Sequence, residues 1–180
     1  MTKTISYSLL FLLLNSNSIF AQSTEHETYE TEEYKISFPG PFEKSTQVLS
    51  SNLGQLLLKI ISYEPKGGVK DSNYVYMIME TEYPDSTIHS DKKEILDEFF
   101  SASINGAVKN VNGKLIKETR GLTGIYPNRT IEVDYQNGLA VIRMRLILRK
   151  SRMIMIQTIT NTQNYPNSSA TSFVDSFGLK

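Results

Sequence analysis

Residues 129–160 read RTIEVDYQNGLAVIRMRLILRKSRMIMIQTIT, and the reading of this stretch decides the fold. Asn137-Gly138 separates two runs in which apolar and polar residues alternate, the strongest short-range signal for a β-hairpin. A two-residue turn there sets Gln136 opposite Leu139. Counting outward sets Tyr135 opposite Ala140, Val133 opposite Ile142 and Ile131 opposite Met144. These pairs share one face because side chains alternate along a strand. The other face sets Glu132 opposite Arg143 and Thr130 opposite Arg145. A second turn at Lys150-Ser151 sets Leu148 opposite Met153, Leu146 opposite Met155 and Ile142 opposite Ile159. Both registers place their apolar residues on the same face, which predicts a three-stranded meander. The second face mixes Arg143 and Arg145 with Val141, Ile147, Ile154 and Ile156. A sheet apolar on both faces is covered on both. A long helix is expected on one side, and a short C-terminal helix or loops on the other.

Both helices are visible outward from this core. Ile95, Leu96, Phe99, Phe100, Ser103, Ile104 and Ala107 recur at helical spacing and form a stripe wide enough to cover a sheet face. Ser90 or Asp91 is the expected N-cap, and Asn110 to Gly113 the stop. Pro166-Asn167-Ser168 begins a short helix with Phe173, Val174 and Phe177 buried and Gly178 ending it. Upstream, Tyr34, Ile36 and Phe38 alternate as a half-buried strand that Pro39-Gly40-Pro41 stops. Gln47 to Leu49 and Leu56 to Tyr63 flank a turn at residues 51–54. Pro65 to Ser72 is a loop, and Tyr74 to Tyr83 a strand with Val75, Met77 and Met79 on one face. Tyr74, Tyr76, Ile78, Glu80 and Glu82 occupy the other. Lys114 to Arg120 reads as a strand, followed by a loop with Gly121 and Gly124. The fold class is α+β: an antiparallel sheet of about six to eight strands, by these period-2 runs, flanked by one long and one short helix.

The N-terminus reads as an export signal. Lys3 gives a positive start, Leu9 to Leu14 an apolar run, and Ile19-Phe20-Ala21 ahead of Gln22 a cleavage site. A spanning helix needs about 20 apolar residues, and Asn15 interrupts the run too early. The expected organisation is a signal peptide at 1–21, a flexible acidic leader at 22–33 and one α+β domain at 34–180. The product is exported, periplasmic or extracellular, with no transmembrane segment after cleavage. A small residue followed by Gln resembles the cleavage site of many Gram-negative envelope proteins. Glu25, Glu27, Glu30, Glu32 and Glu33 crowd the leader, which reads as solvated.

The chain of 180 residues has no Cys, so neither a disulfide framework nor a thiolate metal site exists. Nineteen basic side chains balance nineteen acidic ones, which leaves no electrostatic footprint for nucleic acid. The only histidines are His26, in the acidic leader, and His89, ahead of the long helix. A Ser–His–acid triad could use only these two, and both read as solvated. Glu80 and Glu82 share a strand face and could bind a cation, but a solvated face is the plainer reading. Lys66-Gly67-Gly68 lacks the remaining pattern of a phosphate loop. No catalytic, cofactor-binding or metal-binding residue is assigned, and no cofactor is expected. Arg129, Arg143 and Arg145, with Arg149 and Arg152 nearby, form the one candidate interaction patch, suited to an acidic partner or an anion. The competing reading is a cross-strand lattice with Glu132 and Asp134 facing Arg143, and the pairing favours the lattice.

Several features in order resemble the PsbP-like superfamily, small exported or organelle-lumen α+β domains. Tyr34 to Pro39 (YKISFP) resembles the opening strand of that family. Gly121 to Arg129 (GLTGIYPNR) resembles its Gly-rich loop leading into a strand, and Phe173 to Phe177 (FVDSF) its closing helix, with the meander between. The resemblance covers nearly all of residues 34–180 and implies an antiparallel sheet sandwiched by helices. It transfers no site, and it implies a fold used as a docking scaffold. The expected function is a non-catalytic envelope protein that binds another macromolecule, such as an envelope protein, or assists its assembly. The alternative is a carrier of a small apolar ligand, with Tyr74, Tyr76, Met77, Met79, Met153 and Met155 lining a pocket. A hydrolase built on His89 or on Glu80 and Glu82 is a third reading.

Overall fold

The computed structural model describes residues 26–51, 53–66 and 71–180. The signal segment, its cleavage site after Ala21 and Gly67-Gly68 lie outside the described residues. The elements are β1 (Glu27–Glu30), β2 (Tyr34–Phe38), β3 (Glu43–Ser51), β4 (Gly54–Tyr63), β5 (Asn73–Glu82), α1 (Lys93–Asn110), β6 (Lys114–Thr123), β7 (Tyr126–Tyr135), β8 (Ala140–Arg149), β9 (Arg152–Asn161), α2 (Ser168–Asp175) and β10 (Gly178–Leu179). Strands β3-β4-β5-β9-β8-β7-β6 form a seven-stranded sheet, and β1-β2-β10 a three-stranded one. Every pairing is antiparallel. The chain is α+β, as the periodicity implies.

The alternating faces bury two cores. One packs Phe100 and Ile104 of α1 against Ile131, Val133, Ile142, Met144 and Leu146. The other packs Tyr34, Ile36 and Phe38 of β2 and Phe173, Val174 and Phe177 of α2 against Tyr76, Ile78, Ile147, Ile154 and Ile156. The layers are therefore α1, the large sheet, and the small sheet with α2. Cover on both faces explains why β8 and β9 are nearly continuous apolar runs. The second layer is more than the short helix or loops expected, because β1, β2 and β10 assemble a sheet of their own.

The meander registers agree with the sequence reading: Tyr135 faces Ala140, Ile131 faces Met144, Leu148 faces Met153 and Ile142 faces Ile159. The turn itself differs. Gln136, Asn137 and Gly138 all take left-handed φ of 51°, 53° and 91°, and Leu139 N donates to Tyr135 O. The ladder closes at Tyr135–Ala140, so Gln136 and Leu139 belong to the loop rather than to a pair. Asp134 accepts from Gly138 N at 2.7 Å and braces the loop.

Three expectations are corrected. The acidic leader is not free from residue 27 on: Glu27 to Glu30 pair with Phe38 to Lys35. Tyr29 packs on Tyr34 and Phe42 at centroid distances of 6.1 and 5.7 Å, and Glu33 accepts from Arg149 and Arg152. Glu27, Glu30 and Glu32 are exposed, as expected, but Glu33 looked solvated only because its arginine partners lie more than a hundred residues away. Neither Ser90 nor Asp91 caps α1. The helix begins at Lys93 with no side-chain cap, and Ser90 Oγ instead accepts from Lys150 N at 3.2 Å. That contact ties the approach to α1 to the β8–β9 turn. The expected Gly121 loop is strand: β6 and β7 pair through Gly121–Asn128 to a turn at Gly124-Ile125, where Gly124 has φ of 60°.

Candidate functional site

The arginines do not form one patch. Arg129 lies on the α1 face, opposite Leu146. Its guanidinium is buried over the Phe100 ring at 4.7 Å, bonded to Asp97 at 2.6 Å and 3.4 Å from Glu118. It anchors α1 to the sheet. Arg143 and Arg145 lie on the opposite face, across from Glu132 and Thr130 as the register predicts. Arg145 approaches Asp175 at 3.7 Å and Val174 O at 3.5 Å, and burial depresses its pKa. Arg143 Nε is buried without a partner among the described residues. Arg149 and Arg152 converge on Glu33, and Arg152 also reaches Glu82 at 3.3 Å.

The candidate acids and histidines have local duties. Glu80 is only 5 % exposed, so it is not on a solvated face. It accepts from Tyr34 Oη and lies 3.8 Å from Arg152. Burial, reinforced by that bond, pushes the Tyr34 phenol far above its usual pKa. Burial and a bond to Asp71 do the same for Tyr76. His89 Nδ1 accepts from Asp91 N at 3.2 Å in the approach to α1. Among the described residues no three His, Asp or Glu side chains gather to hold a metal.

The concave feature lies between α1 and the β4-β5-β9 part of the sheet, with a cavity volume of about 100 Å³. Phe100 and Ile104 close the other half of this face, while Ser103 and Ala107, one helical turn apart, leave space beside them. The floor is Met79, Met144, Met153, Met155 and Gln157, and Leu49, Leu56 and Leu58 line it from β3 and β4. Three of the residues expected to line an apolar pocket are here: Met79, Met153 and Met155. Met77 packs against the same core but does not line the cleft. Tyr74 is exposed, and Tyr76 faces the opposite core. Methionine is suited to such a floor, since its unbranched thioether adapts to irregular shapes.

Gln157 is the feature that sequence reading passed over. It is 4 % exposed, and its Oε1 is buried with no hydrogen-bond partner among the described residues. Met153, Met155, Gln157 and Ile159 occupy successive inward positions of β9, so a polar residue in an apolar stripe was the available signal. An unpaired buried carbonyl oxygen costs about 1–3 kcal/mol.

No protein-family model matches the sequence, and no curated protein matches it. Among solved structures the chain is similar to the solution structure of cyanobacterial PsbP (CyanoP) from Synechocystis sp. PCC 6803. The TM-score is 0.50 at 13 % identity, over 93 % of this chain and 99 % of that one. The chain has a PsbP-like fold. Identity this low carries the architecture and not a function.

Proposed function

We propose, from a PsbP-like fold with a Met-floored cleft under its long helix, that this protein is an exported, non-catalytic binding module. The cleft is its ligand site, which makes it a carrier or receptor of a small apolar molecule in the envelope. The single observation that carries this reading is the apolar cleft itself, floored by Met79, Met144, Met153 and Met155 with Gln157 among them. Ligand sites are typically concave and apolar with a few placed polar groups. The acids and histidines engaged in structural contacts support a role in binding rather than in catalysis. Among the described residues no helix is long and apolar enough to cross a membrane. Export predicts a chain beginning at Gln22, which N-terminal sequencing of the envelope protein reads directly.

The test is titration with an apolar fluorophore such as N-phenyl-1-naphthylamine. Saturable one-to-one binding is expected, and Ala107→Leu, which narrows the cleft, should abolish it while circular dichroism stays unchanged. Binding that is linear, or indifferent to Ala107→Leu, overturns the reading.

A second reading, docking to an envelope protein or assisting its assembly, is favoured by the β6–β7 tip. Leu122 and Ile125 there are 69 % and 82 % exposed, on a hairpin that includes the edge strand β6. A photo-crosslinker at Ile125 should give one discrete adduct in envelopes, released by Leu122→Asp. Crosslinking no stronger than from exposed Lys117 overturns that reading.

A further inference from the structure

Arg120, Arg129, Arg145, Arg149 and Arg152 each have a carboxylate within ion-pair distance. Arg143 is partly buried and has none among the described residues. The register gives it Glu132, directly across the β7–β8 ladder. That carboxylate instead accepts from the Tyr165 phenol and has Lys117 opposite it on the far side. Asp175 is taken by Arg145 at 3.7 Å. Thr158, opposite Arg143 across the β8–β9 ladder, is fully buried, and its hydroxyl is also unbonded to any described residue. Lys114 and Asp134 match one another in the next row. Lys114, Lys117, Arg143 and Arg145 thus stand against Glu132, Asp134 and Asp175, and the surplus is the charge of Arg143. Burial first, and the Arg143 charge after it, hold the Arg145 pKa down, so the two guanidiniums are close enough to repel.

We propose that Arg143 is the seat of an anion site beside α2, and that the anion is a carboxylate. Tyr165 just ahead of α2 meets Glu132 of β7, and Asp175 at its end meets Arg145 of β8. Arg143 lies between these two contacts. Its Nε is sealed from solvent, so the ligand meets the two Nη groups, which are engaged by no described residue and are not sealed as Nε is. Seen end-on, a guanidinium offers two parallel N–H bonds, the geometry that a carboxylate accepts. A single negative charge cancels the surplus. A sulfate or phosphate dianion overshoots it, with Glu132 and Asp175 close by to repel the second charge. A neutral ligand leaves a partly desolvated cation uncompensated. The site lies on the opposite face of the sheet from the Met-floored cleft and stands whether or not that cleft binds a ligand. A free small acid and an acidic side chain of a peptide present the same group to it.

The test follows the Arg143 Nε–H and β8 amide resonances of the 15N-labelled protein at constant ionic strength. Sodium acetate, N-acetylaspartate N-methylamide or sodium sulfate replaces sodium chloride. Saturable shifts are expected with acetate, at lower concentration than with sulfate. Arg143→Met should abolish them. Arg143→Lys, which keeps the charge without the paired donors, should weaken them. Glu132→Gln removes the neighbouring negative charge and should tighten acetate binding about two- to fivefold, the scale of one partly exposed charge pair. In chloride, Arg143→Met should melt no lower than wild type, because it deletes an uncompensated charge, whereas an arginine serving only the fold would leave the variant less stable. Shifts that are linear, that survive Arg143→Met, that are unchanged in Arg143→Lys or that favour sulfate overturn the proposal, as does a wild type indifferent to acetate. Tighter binding of N-acetylaspartate N-methylamide than of acetate supports a carboxylate on a peptide; equal or weaker binding supports a free small acid.

Discussion

Glu80 and Gln157 are both polar residues at positions where strand alternation alone predicts only a face. Glu80 was read as solvated, yet β2 and α2 cover its face and Tyr34 donates to it. Gln157 lies on the α1 face, and its Oε1 receives nothing from the described residues. Periodicity reports which side a residue points to; it does not report what lies across from it, because that partner comes from a remote part of the chain. The pairing at Glu80 has measurable consequences. Tyr34→Phe leaves a buried carboxylate with only Arg152 nearby, and should cost about 2 kcal/mol in urea denaturation. Adding Glu80→Leu should recover most of it. The raised pKa of Tyr34, shared in direction by Tyr76 and Tyr165, sets the alkaline limb. Unfolded tyrosine ionises near pH 10, while the folded phenols hold their protons to higher pH. Stability is therefore complete below about pH 10 and is lost as pH rises toward the folded values. Melting temperatures should hold from pH 8 to about pH 10 and fall above it, less steeply in Tyr76→Phe.

At the scale of elements, the meander was legible because its turns and its alternation independently demanded the same register. The start of α1 was not. Ser90 has the chemistry of a cap, but the backbone of Lys150 competes for its hydroxyl, and a tertiary contact overrides the local preference. The attachment of α1 was invisible for a related reason: Arg129 was grouped with Arg143 and Arg145 although an odd spacing along the ladder puts it on the other face. Arg129→Met should loosen the helix by about 1–2 kcal/mol. The cost stays below that of a fully buried pair because Asp97 and Glu118 keep access to water. Asp97 has its carboxyl pKa lowered, chiefly by the bond from Arg120 and then by the charges of Arg120 and Arg129. That contribution is present above the ordinary carboxyl pKa of about 4 and is lost as pH falls through the depressed value. The gap between wild type and Arg129→Met should accordingly narrow below about pH 4, as urea midpoints at pH 7 and pH 3 would read.

For the whole molecule, the boundary of the folded unit lies upstream of Tyr34. A chain that begins at Tyr34 loses β1, the Tyr29 cover over Tyr34 and Phe42, and the carboxylate that unites Arg149 with Arg152. It should melt about 5–10 °C lower than one that begins at Gln22, the equivalent of some 2–3 kcal/mol in a domain of this size. A solvated leader would leave the melting temperature unchanged. The acid-rich composition concealed this strand, since composition weighs residues one at a time and the strand exists only through its partners.

The order of the large sheet has a consequence for time. Strands β3-β4-β5 and β6-β7-β8-β9 are two meanders whose neighbours in space are neighbours in sequence. The single seam between them, β5 against β9, joins Glu82 to Arg152 and Asn73 to Thr160. Within each meander successive strands pair directly, but the seam must draw together ends separated by α1 and half the domain, the entropically slow kind of closure. The rate at which a newly made chain becomes protease-resistant is then governed by how fast this seam zips. Residues that span it, such as Ile78 against Ile156, should slow folding when truncated, whereas residues inside either meander should chiefly hasten unfolding.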